Sequence, residues 1–412
     1  MLLLYNSFIL FFQTGLRIAC IWNTKAKNWV NGRKNIWKQL EEVPKNAPIV
    51  WIHTSSAGEF EQAKPFIECL KKSYPTYKVL ITFFSPSGYQ VSSNYKPADF
   101  KFYLPVDTSA NAKRFIESVN PQLVVFVKYD FWYHYLEIIH IRKSPLLLIS
   151  AVFREDQAFF KWYGSFYKEM LFFFSRIFVQ DHSSLAILQK NGIKNSQLSG
   201  DTRFDRVATI ASGFKEIPFI EDFISGSQVI VAGSTWPGDE ELLKQNLSSK
   251  IKLIIAPHEI EEHNIKRIQR EFDGAILYSH IQNNSNYLNA EVLIIDNVGM
   301  LSRLYHYATI TYVGGGFTKD GIHNVLEAAV HAKPVLFGPN HRKYREAGEM
   351  IEYGGGFSIK NGDELKNTVM RLLENKDLYR QVCEKAIAYI NSKKGATAEI
   401  INYIQENRLL TN

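Results

Sequence analysis

Cysteine is scarce in this chain of 412 residues, and its three cysteines form no pattern. Cys20, Cys69 and Cys383 lie far apart and lack the spacing of metal ligands. We therefore expect reduced cytoplasmic thiols rather than disulfides or a zinc cluster. The N-terminus also lacks the order of a signal peptide, in which basic residues come first and a small-residue cleavage site comes last.

Several catalytic and binding motifs are missing as well. No GxGxxG follows an early strand with an acidic residue about 20 positions on, which argues against a dinucleotide oxidoreductase. No GxSxG elbow is present, so a hydrolase triad is unsupported. The segment HEIEEH resembles a zinc-protease helix, but His258 and His263 are five positions apart, about 140° around a helix. They cannot readily share a metal ion from one helical face.

What the chain does have is positive charge, with a formal net charge of +7 and a pI near 9.0. Such a balance suits an anionic partner. No arginine-rich arm or nucleic-acid motif accompanies it, so we expect no nucleic acid. An acidic membrane surface and a phosphorylated substrate are the better candidates.

The first 22 residues are apolar but interrupted by polar side chains. At about 100° per residue these positions fall within a sector of about 120°; they are Asn6, Ser7, Gln13, Thr14 and Arg17. A basic cluster follows, formed by Lys25, Lys27, Arg33, Lys34 and Lys38. The pattern favours an amphipathic helix lying in the plane of an anionic membrane. A single membrane span and a helix packed on the protein's own core are the alternatives.

From residue 46 onward short apolar runs alternate with helical segments, which predicts parallel sheets covered on both faces. We predict a membrane-associated segment (1–45), a Rossmann-like domain (46–207), a linker (208–228) and a second Rossmann-like domain (229–412). The aromatic stretch at 159–178 is typical of a buried helix, or of a face that contacts an acceptor or a membrane. In such sheets ligands bind beyond the carboxyl ends of the strands.

One strand–turn–helix–strand unit, at 309–339, has the form of an anion site. A strand at 310–313 is followed by Gly314, Gly315 and Gly316, then by a predicted helix at 324–331 and a strand at 334–337. Glycines let a ligand approach the backbone closely, and a helix N-terminus attracts phosphate. The alternative is a tight structural loop.

Two loops of the first domain carry charged groups at the same predicted sheet edge. Ser56 and Glu59 have the spacing of a helix capping box, and the same carboxylate could serve as a general base. Lys128 and Asp130 follow another strand, either as a surface ion pair or as neighbours of a reacting centre.

An ordered series of motifs makes the chain resemble the lipid A Kdo transferases, which transfer 3-deoxy-D-manno-octulosonic acid (Kdo) and have the two-Rossmann GT-B architecture. The resemblance covers roughly residues 1–395. Its motifs are HTSSAGE at 53–59, TFFSPSGY at 82–89, YLPVD at 103–107, Asp130 with Trp132, GDTRFDRV at 200–207, AGSTWPGDE at 232–240, DNVGMLSRLY at 296–305 and GGGF…GIHNVLEAA at 314–329.

The resemblance implies roles for individual residues. Glu59 stands at the position of the catalytic base, and Asp130 and Arg203 at positions near the transition state, with Lys128 an ambiguous neighbour. The segments that hold CMP correspond to Pro257, His258, Val298, Gly299, Met300, Asn324, Val325, Leu326 and Glu327. Departures are also visible: Ala57 replaces a branched residue, Arg203 a lysine, His258 an arginine and Met300 a glutamate, and Asp130 is one methylene shorter than a glutamate.

The implied activity is inverting transfer of Kdo from CMP-Kdo to the primary hydroxyl of a lipid A precursor. It implies two domains facing across a cleft, no cofactor, and a place on the cytoplasmic face of the inner membrane. The chain has no DxD-like carboxylate cluster in a suitable loop, which predicts a metal-independent enzyme. Rival hypotheses are a GT-B transferase that uses a UDP-sugar, and a membrane-tethered nucleotide-binding protein without catalysis.

Overall fold

The computed structural model describes residues 1–246, 251–283 and 285–411. It divides into two compact units. The first comprises residues 1–206 and 394–412, and the second residues 207–393. Each unit is built on one seven-stranded parallel sheet.

The first sheet consists of β1 (Ile49–Thr54), β2 (Lys78–Phe83), β3 (Phe100–Tyr103), β4 (Leu123–Val127), β5 (Leu146–Ala151), β6 (Arg176–Val179) and β7 (Ser196–Leu198). The strand order is β3-β2-β1-β4-β5-β6-β7. β1 and β4 are buried along their whole length, as expected for strands covered by helices on both faces. The helices are α1 (Leu2–Ala19), α2 (Thr24–Asn31), α3 (Ile36–Gln39), α4 (Ala57–Ser73), α5 (Pro86–Val91), α6 (Ser109–Val119), α7 (Tyr133–Ile141), α8 (Ser165–Phe172), α9 (His182–Lys190) and α10 (Thr202–Ser212).

The second sheet consists of β8 (Val229–Thr235), β9 (Lys252–Pro257), β10 (Ile276–Leu277), β11 (Val292–Ile294), β12 (Ile310–Val313), β13 (Val335–Phe337) and β14 (Gly356–Ser358). Its order is β10-β11-β9-β8-β12-β13-β14. The helices are α11 (Ile220–Ile224), α12 (Pro237–Asn246), α13 (Glu262–Glu271), α14 (Leu301–Leu304), α15 (Leu326–Ala329), α16 (Arg345–Tyr353), α17 (Gly362–Glu374) and α18 (Lys376–Lys393).

The predicted class of two Rossmann-like α/β units is confirmed. The strands predicted at 310–313 and 334–337 are present as β12 and β13, and β7 is a strand that the sequence did not predict. Two of its three residues, Ser196 and Gln197, are polar, so it has no apolar run, and it forms the edge of the sheet. The segment 208–228, predicted as a linker, contains α11, which buries Ile220 and Phe223 in the second unit.

The C-terminal boundary also differs from the prediction, which assigned residues 229–412 to the second domain. Residues 394–412 belong to the first unit. Helix α19 (Ala396–Glu406) packs on α4, and Ile400, Ile401 and Ile404 join the core beneath the first sheet. An apolar helix face must be covered, but its spacing does not show which of two sheets covers it.

The two sheets share one topological feature that determines where ligands can bind. In each sheet the strand order reverses direction at a central pair, β1 with β4 and β8 with β12. The connections leave such a pair toward opposite sides, so a crevice opens beyond the carboxyl ends of the two strands. The loops after these four strands therefore form the two candidate ligand edges.

Helix α1 is long and apolar enough to cross a membrane, and only Ile9 is fully buried. One stripe, formed by Tyr5, Ile9, Phe12 and Leu16, packs on the first unit. Another apolar stripe remains exposed to solvent and consists of Leu4, Phe8, Phe11 and Ile18. The helix is thus both attached to its own unit and open on a second apolar side.

The predicted basic cluster after this helix loses one member in the structure. Arg33 turns inward and donates hydrogen bonds to the carbonyl oxygens of Leu104 and Phe84, both at 2.8 Å. Its burial lowers the pKa of the guanidinium to about 9. The four lysines of the cluster are exposed and remain available to anionic groups.

The docking of α19 gives a testable stability prediction. Ile404→Ala should lower the free energy of unfolding of the first unit by about 2–4 kcal/mol, because it leaves a cavity in a fully buried site. Hydrogen exchange of the amides in β1 measures this directly. Gln405→Ala, at an exposed position of the same helix, should change little. Equal effects of the two substitutions would contradict the packing.

Candidate active site

Glu59 lies in the first turn of α4, directly beyond β1. The Ser56 hydroxyl accepts from the Glu59 N–H, and the Glu59 carboxylate accepts from the Ser55 and Ser56 N–H groups. This is a complete capping box, so the structural role expected from the spacing is confirmed. Both backbone donors bond to Oε2, so the carboxylate is held in a defined direction at the edge of the sheet.

The surroundings of Glu59 suit a base that works near neutral pH. Burial, followed by the negative charge of Asp130, raises the pKa of Glu59 to about 7, against the opposing effects of Lys128 and the Ser55 and Ser56 N–H groups. A carboxyl group with this pKa is partly ionised at pH 7 and can accept a proton. The structure therefore brings Glu59, Asp130 and Lys128 together at one edge.

A buried histidine, His53, holds Asp130 in place. His53 was not predicted as a site residue. His53, on β1, is fully buried, and its Nε2 lies 2.8 Å from Asp130 Oδ2. Its Nδ1 lies 2.8 Å from the Thr82 hydroxyl, which also accepts from Trp51 Nε1. An indole N–H can only donate, so the Thr82 hydroxyl accepts from Trp51, and the two ring nitrogens of His53 connect Thr82 to Asp130.

Two cations lie near this edge, Lys128 and Arg203. Lys128 has a φ of 69°, in the left-handed region that lysine rarely adopts, at the point where β4 ends. Arg203, in the first turn of α10, forms an ion pair with the buried Asp201 at 2.7 Å and contributes to the electrostatic environment of Tyr129. The positive φ of Lys128 is a form of backbone strain, and such strain concentrates at functional sites.

The second unit has an aromatic cluster beyond the ends of β8, β9 and β12. The ring of His258 stacks on Trp236 with a centroid distance of 4.9 Å and on His323 with 4.4 Å. Trp236 Nε1 donates to His323 Nε2 at 3.3 Å. Burial, followed by the proximity of His258, lowers the pKa of His323 to about 4, so this imidazole is neutral at pH 7. The three rings thus pack on one another at the ligand edge.

A buried carboxylate fixes the glycine loop beside this cluster. Asp239 is fully buried, and its Oδ2 accepts from the Gly315 and Trp236 N–H groups at 2.8 and 2.9 Å. Its Oδ1 accepts from the Tyr312 hydroxyl at 2.8 Å. One side chain thereby links the end of β12, the glycine loop and the loop after β8.

The three glycines are explained by packing of the protein on itself. A Cβ at Gly314 would lie 2.4 Å from the Ser234 carbonyl oxygen, and one at Gly316 would lie 2.4 Å from the Gly338 Cα. Gly315 has a φ of 90°. These contacts support the structural-loop alternative, and the space left by the missing side chains is filled by backbone rather than open to a phosphate.

The helix expected at 324–331 is also shorter than predicted. Helix α15 is a single turn, Leu326–Ala329. The side chain of Asn324 accepts from the Leu326 N–H at 3.1 Å and donates to Glu327 Oε1 at 3.0 Å. One turn aligns few peptide dipoles, so the expected stabilisation of phosphate by a helix N-terminus at Asn324 is much weaker than the sequence suggested.

The remaining predicted CMP residues occupy neighbouring loops of the second unit. Pro257 ends β9 and His258 follows it, while Val298 and Gly299 lie in an exposed turn after β11. Met300 is buried at the start of α14. Glu327 lies close enough to Tyr305, beside α14, to contribute with burial to the raised pKa of that tyrosine.

The segment HEIEEH does not form a metal site in the structure. His258 precedes α13, whereas His263 lies within it, so the two rings do not share one helix. Across residues 1–246, 251–283 and 285–411, no group of three or more His, Cys, Asp or Glu side chains is positioned to hold a metal ion.

Comparison with known proteins relates these edges to one family. Residues 30–206 match the family model described as 3-deoxy-D-manno-octulosonic-acid transferase (kdotransferase). A 3-deoxy-D-manno-octulosonic acid transferase of Rickettsia prowazekii is 26% identical over 97% of this chain and 90% of its own length. One from Aquifex aeolicus is 29% identical over 79% of this chain and 86% of its own length. The chain is therefore similar to Kdo transferases along most of its length.

A solved structure adds support for the fold of this protein. The UDP-GlcNAc 2-epimerase from Neisseria meningitidis, bound to UDP-GlcNAc, superposes with a TM-score of 0.60 and 18% sequence identity. The alignment covers 87% of this chain and 100% of the epimerase. At this level of identity the similarity concerns the architecture of two Rossmann-like units.

The sequence predicted most of the charged residues at the two ligand edges but not the residues that position them. His53, Thr82, Trp236, Asp239 and His323 were not predicted as site residues, although each lies within a quoted motif. One signal was available for His53, because a histidine inside the apolar strand IVWIHT needs buried hydrogen-bond partners.

The raised pKa of Glu59 predicts a pH-dependent contribution to stability. Since the folded-state pKa lies above the ordinary value of 4.5, the protonated carboxyl is favoured in the folded state, and stability falls as pH rises from about 4.5 to 7. Relative to Glu59→Gln, the parent protein should lose about 1–3 kcal/mol between pH 4.5 and pH 8. Hydrogen exchange of β1 amides at the two pH values measures this.

The matched control for that experiment is Glu117→Gln, an exposed glutamate on α6. Its stability difference from the parent protein should not change across the same pH interval. A flat difference for Glu59→Gln as well would show that Glu59 has an ordinary pKa in the folded protein.

Proposed function

We propose that this protein is an inverting, metal-independent glycosyltransferase that moves Kdo from CMP-Kdo to the primary hydroxyl of a lipid A precursor (lipid IVA) in lipopolysaccharide biosynthesis. Similarity to Kdo transferases along most of the chain supports the reaction class. The single structural observation that carries the mechanism is Glu59, a directed carboxylate with a pKa of about 7 at the switch point of the first sheet.

In the proposed reaction, ionised Glu59 removes the proton from the acceptor hydroxyl. The hydroxyl oxygen forms a bond to C2 of Kdo, and the bond from C2 to the CMP phosphate oxygen breaks. CMP leaves with that electron pair, so the configuration at C2 inverts in one displacement. The proton remains on Glu59, where the nearby Asp130 charge favours the protonated form.

We assign the donor to the second unit. Its loops carry the residues expected to hold CMP: Pro257, His258, Val298, Gly299, Met300, Asn324, Val325, Leu326 and Glu327. The stacked rings of Trp236, His258 and His323 offer a flat aromatic surface, which suits a nucleobase or a sugar face. Arg203 is the proposed contact for charge that develops on the leaving group, and its bonds to Asp201 hold the guanidinium in one direction.

We further propose that α1 lies in the plane of the cytoplasmic face of the inner membrane. Tyr5 and Leu16, near opposite ends of the helix, both pack on the first unit, which favours an in-plane orientation over a span. The exposed stripe of Leu4, Phe8, Phe11 and Ile18 would contact acyl chains. The exposed lysines at 25, 27, 34 and 38 would contact anionic headgroups.

The central test is transfer by the parent protein and by Glu59→Gln. Mass spectrometry of a reaction with CMP-Kdo and tetraacylated lipid A precursor should show the Kdo-bearing product. Glu59→Gln should lower kcat by at least about 10²-fold, the contribution of a positioned base, while the affinity for CMP stays the same. CMP should inhibit and UDP should not; the reverse order would favour the UDP-sugar rival. Near-normal transfer by Glu59→Gln would remove Glu59 from the mechanism.

A second variant separates the charge of Asp130 from its shape. Asp130→Asn removes a negative charge that raises the pKa of Glu59, so the acid limb of the kcat/KM profile should move from about pH 7 toward lower pH. The amide can still accept from His53, so the loop should keep its position. An unchanged acid limb would mean that Glu59 does not set the profile.

A further inference from the structure

An apolar pocket of about 310 Å³ opens in the first unit between α1, α2 and the loop after β2. Its walls are formed mainly by Phe12, Leu16, Ala19, Ala26, Trp29 and Phe84. Lys25 and Ser85 also line it. The walls are therefore hydrocarbon and aromatic surface, with a cation among the lining groups, which suits the apolar part of an amphiphile.

A partly buried cation, Arg33, holds two residues of the pocket wall in place. The Arg33 guanidinium lies 3.8 Å from the ring centroid of Trp29 and donates to the Phe84 carbonyl at 2.8 Å. It also donates to the Leu104 carbonyl at 2.8 Å, which ties the wall to the segment after β3. Two pocket-lining aromatic residues are thus held by one side chain, so little ordering is required when a ligand enters.

The loop that lines the pocket is linked to the proposed base through Ser55. The Ser85 N–H donates to the Ser55 carbonyl at 2.8 Å, and the Ser55 N–H donates to the Glu59 carboxylate. Phe84 stacks on Trp132 with a centroid distance of 4.6 Å, and Trp132 Nε1 lies 3.3 Å from His53 Nε2. The pocket and the carboxylate are therefore neighbours on the same edge of the sheet.

The pocket is distinct from the exposed stripe of α1. Phe12 and Leu16 face the unit, whereas Leu4, Phe8, Phe11 and Ile18 face outward and are 53–75% exposed. A membrane-seated helix would cover the outer stripe with lipid and still leave the inner pocket to be filled. A bulk phospholipid held there would sit beside Glu59 and compete with the acceptor.

We propose that this pocket binds one acyl chain of the lipid acceptor, so that the chain orients the sugar hydroxyl toward Glu59. The inference rests on the proposed function and adds to it a subsite that selects acceptors by the length of their acyl chains. Holding the tail in a fixed pocket next to the base would convert apolar binding energy into orientation of the reacting hydroxyl. It also predicts that acceptors lacking acyl chains are used poorly.

The test uses the full-length protein in detergent micelles, with acceptors of graded chain length and a deacylated acceptor. Shortening the chains by four methylene groups should raise the acceptor KM of the parent protein at least about tenfold. Ala19→Phe, which fills the pocket, should raise the KM for the long-chain acceptor about tenfold and abolish the length dependence. Its rate with the deacylated acceptor and its KM for CMP-Kdo should not change.

Thr14→Phe is the matched control, because it adds the same ring to an exposed position of α1 outside the pocket. It should behave as the parent protein. Leu16→Ala provides a second variant that enlarges the pocket and should move the preferred chain length upward. Two results would overturn the proposal: equal losses of Ala19→Phe on acylated and deacylated acceptors, or a length dependence that neither Ala19→Phe nor Leu16→Ala alters.

Binding without the donor separates this inference from the proposed reaction. A tetraacylated lipid A precursor with a diazirine in one acyl chain should label residues 12–29 of the parent protein and not those of Ala19→Phe. Labelling in a preparation that shows no Kdo transfer would retain the pocket and reject the proposed function. Labelling by diazirine-bearing phosphatidylethanolamine that excess precursor does not compete away would make the pocket a site for bulk lipid and overturn the proposal.

Discussion

The contact between His53 and Asp130 is the constraint on which the first ligand edge depends. It joins the end of β1, through a fully buried imidazole, to the loop after β4, and Thr82 adds the end of β2. These strands are neighbours at the point where the sheet reverses its order. Asp130 is thereby fixed at the edge where Glu59 ends up, and its charge helps to raise the pKa of that glutamate.

In the second unit a buried carboxylate, Asp239, positions the loops at the ligand edge. Asp239 is buried and accepts from Gly315, Trp236 and Tyr312, so three segments around the β8–β12 switch point share one anchor. Burial raises the pKa of this carboxyl group, and its hydrogen bonds with Gly315 and Tyr312 oppose that effect. In both units a buried polar residue with all its partners inside the protein positions the loops that a ligand would meet.

Patterns of burial were largely predictable, because helices and strands leave different periodicities in the chain. The apolar strands, the two Rossmann-like units and the capping box at Ser56 and Glu59 follow from local sequence alone. The one-turn helix after the glycines did not, since a helical pattern at 324–331 says nothing about tertiary contacts that end it early. Likewise the glycines fit a phosphate loop until Gly338 and Ser234 are seen to occupy the space beside them.

By itself, then, the sequence determined the fold class, the family resemblance and the identity of Glu59 as the leading candidate for the base. These depend on short motifs and on periodicity, which are local properties. Tertiary structure alone decided that Arg33 faces inward, that residues 394–412 complete the first unit, and that an apolar pocket lies beside Glu59. Each of these depends on which distant surfaces meet. An apolar side chain gains the same free energy of burial on either of two sheets, so only the packing of the folded chain selects one of them.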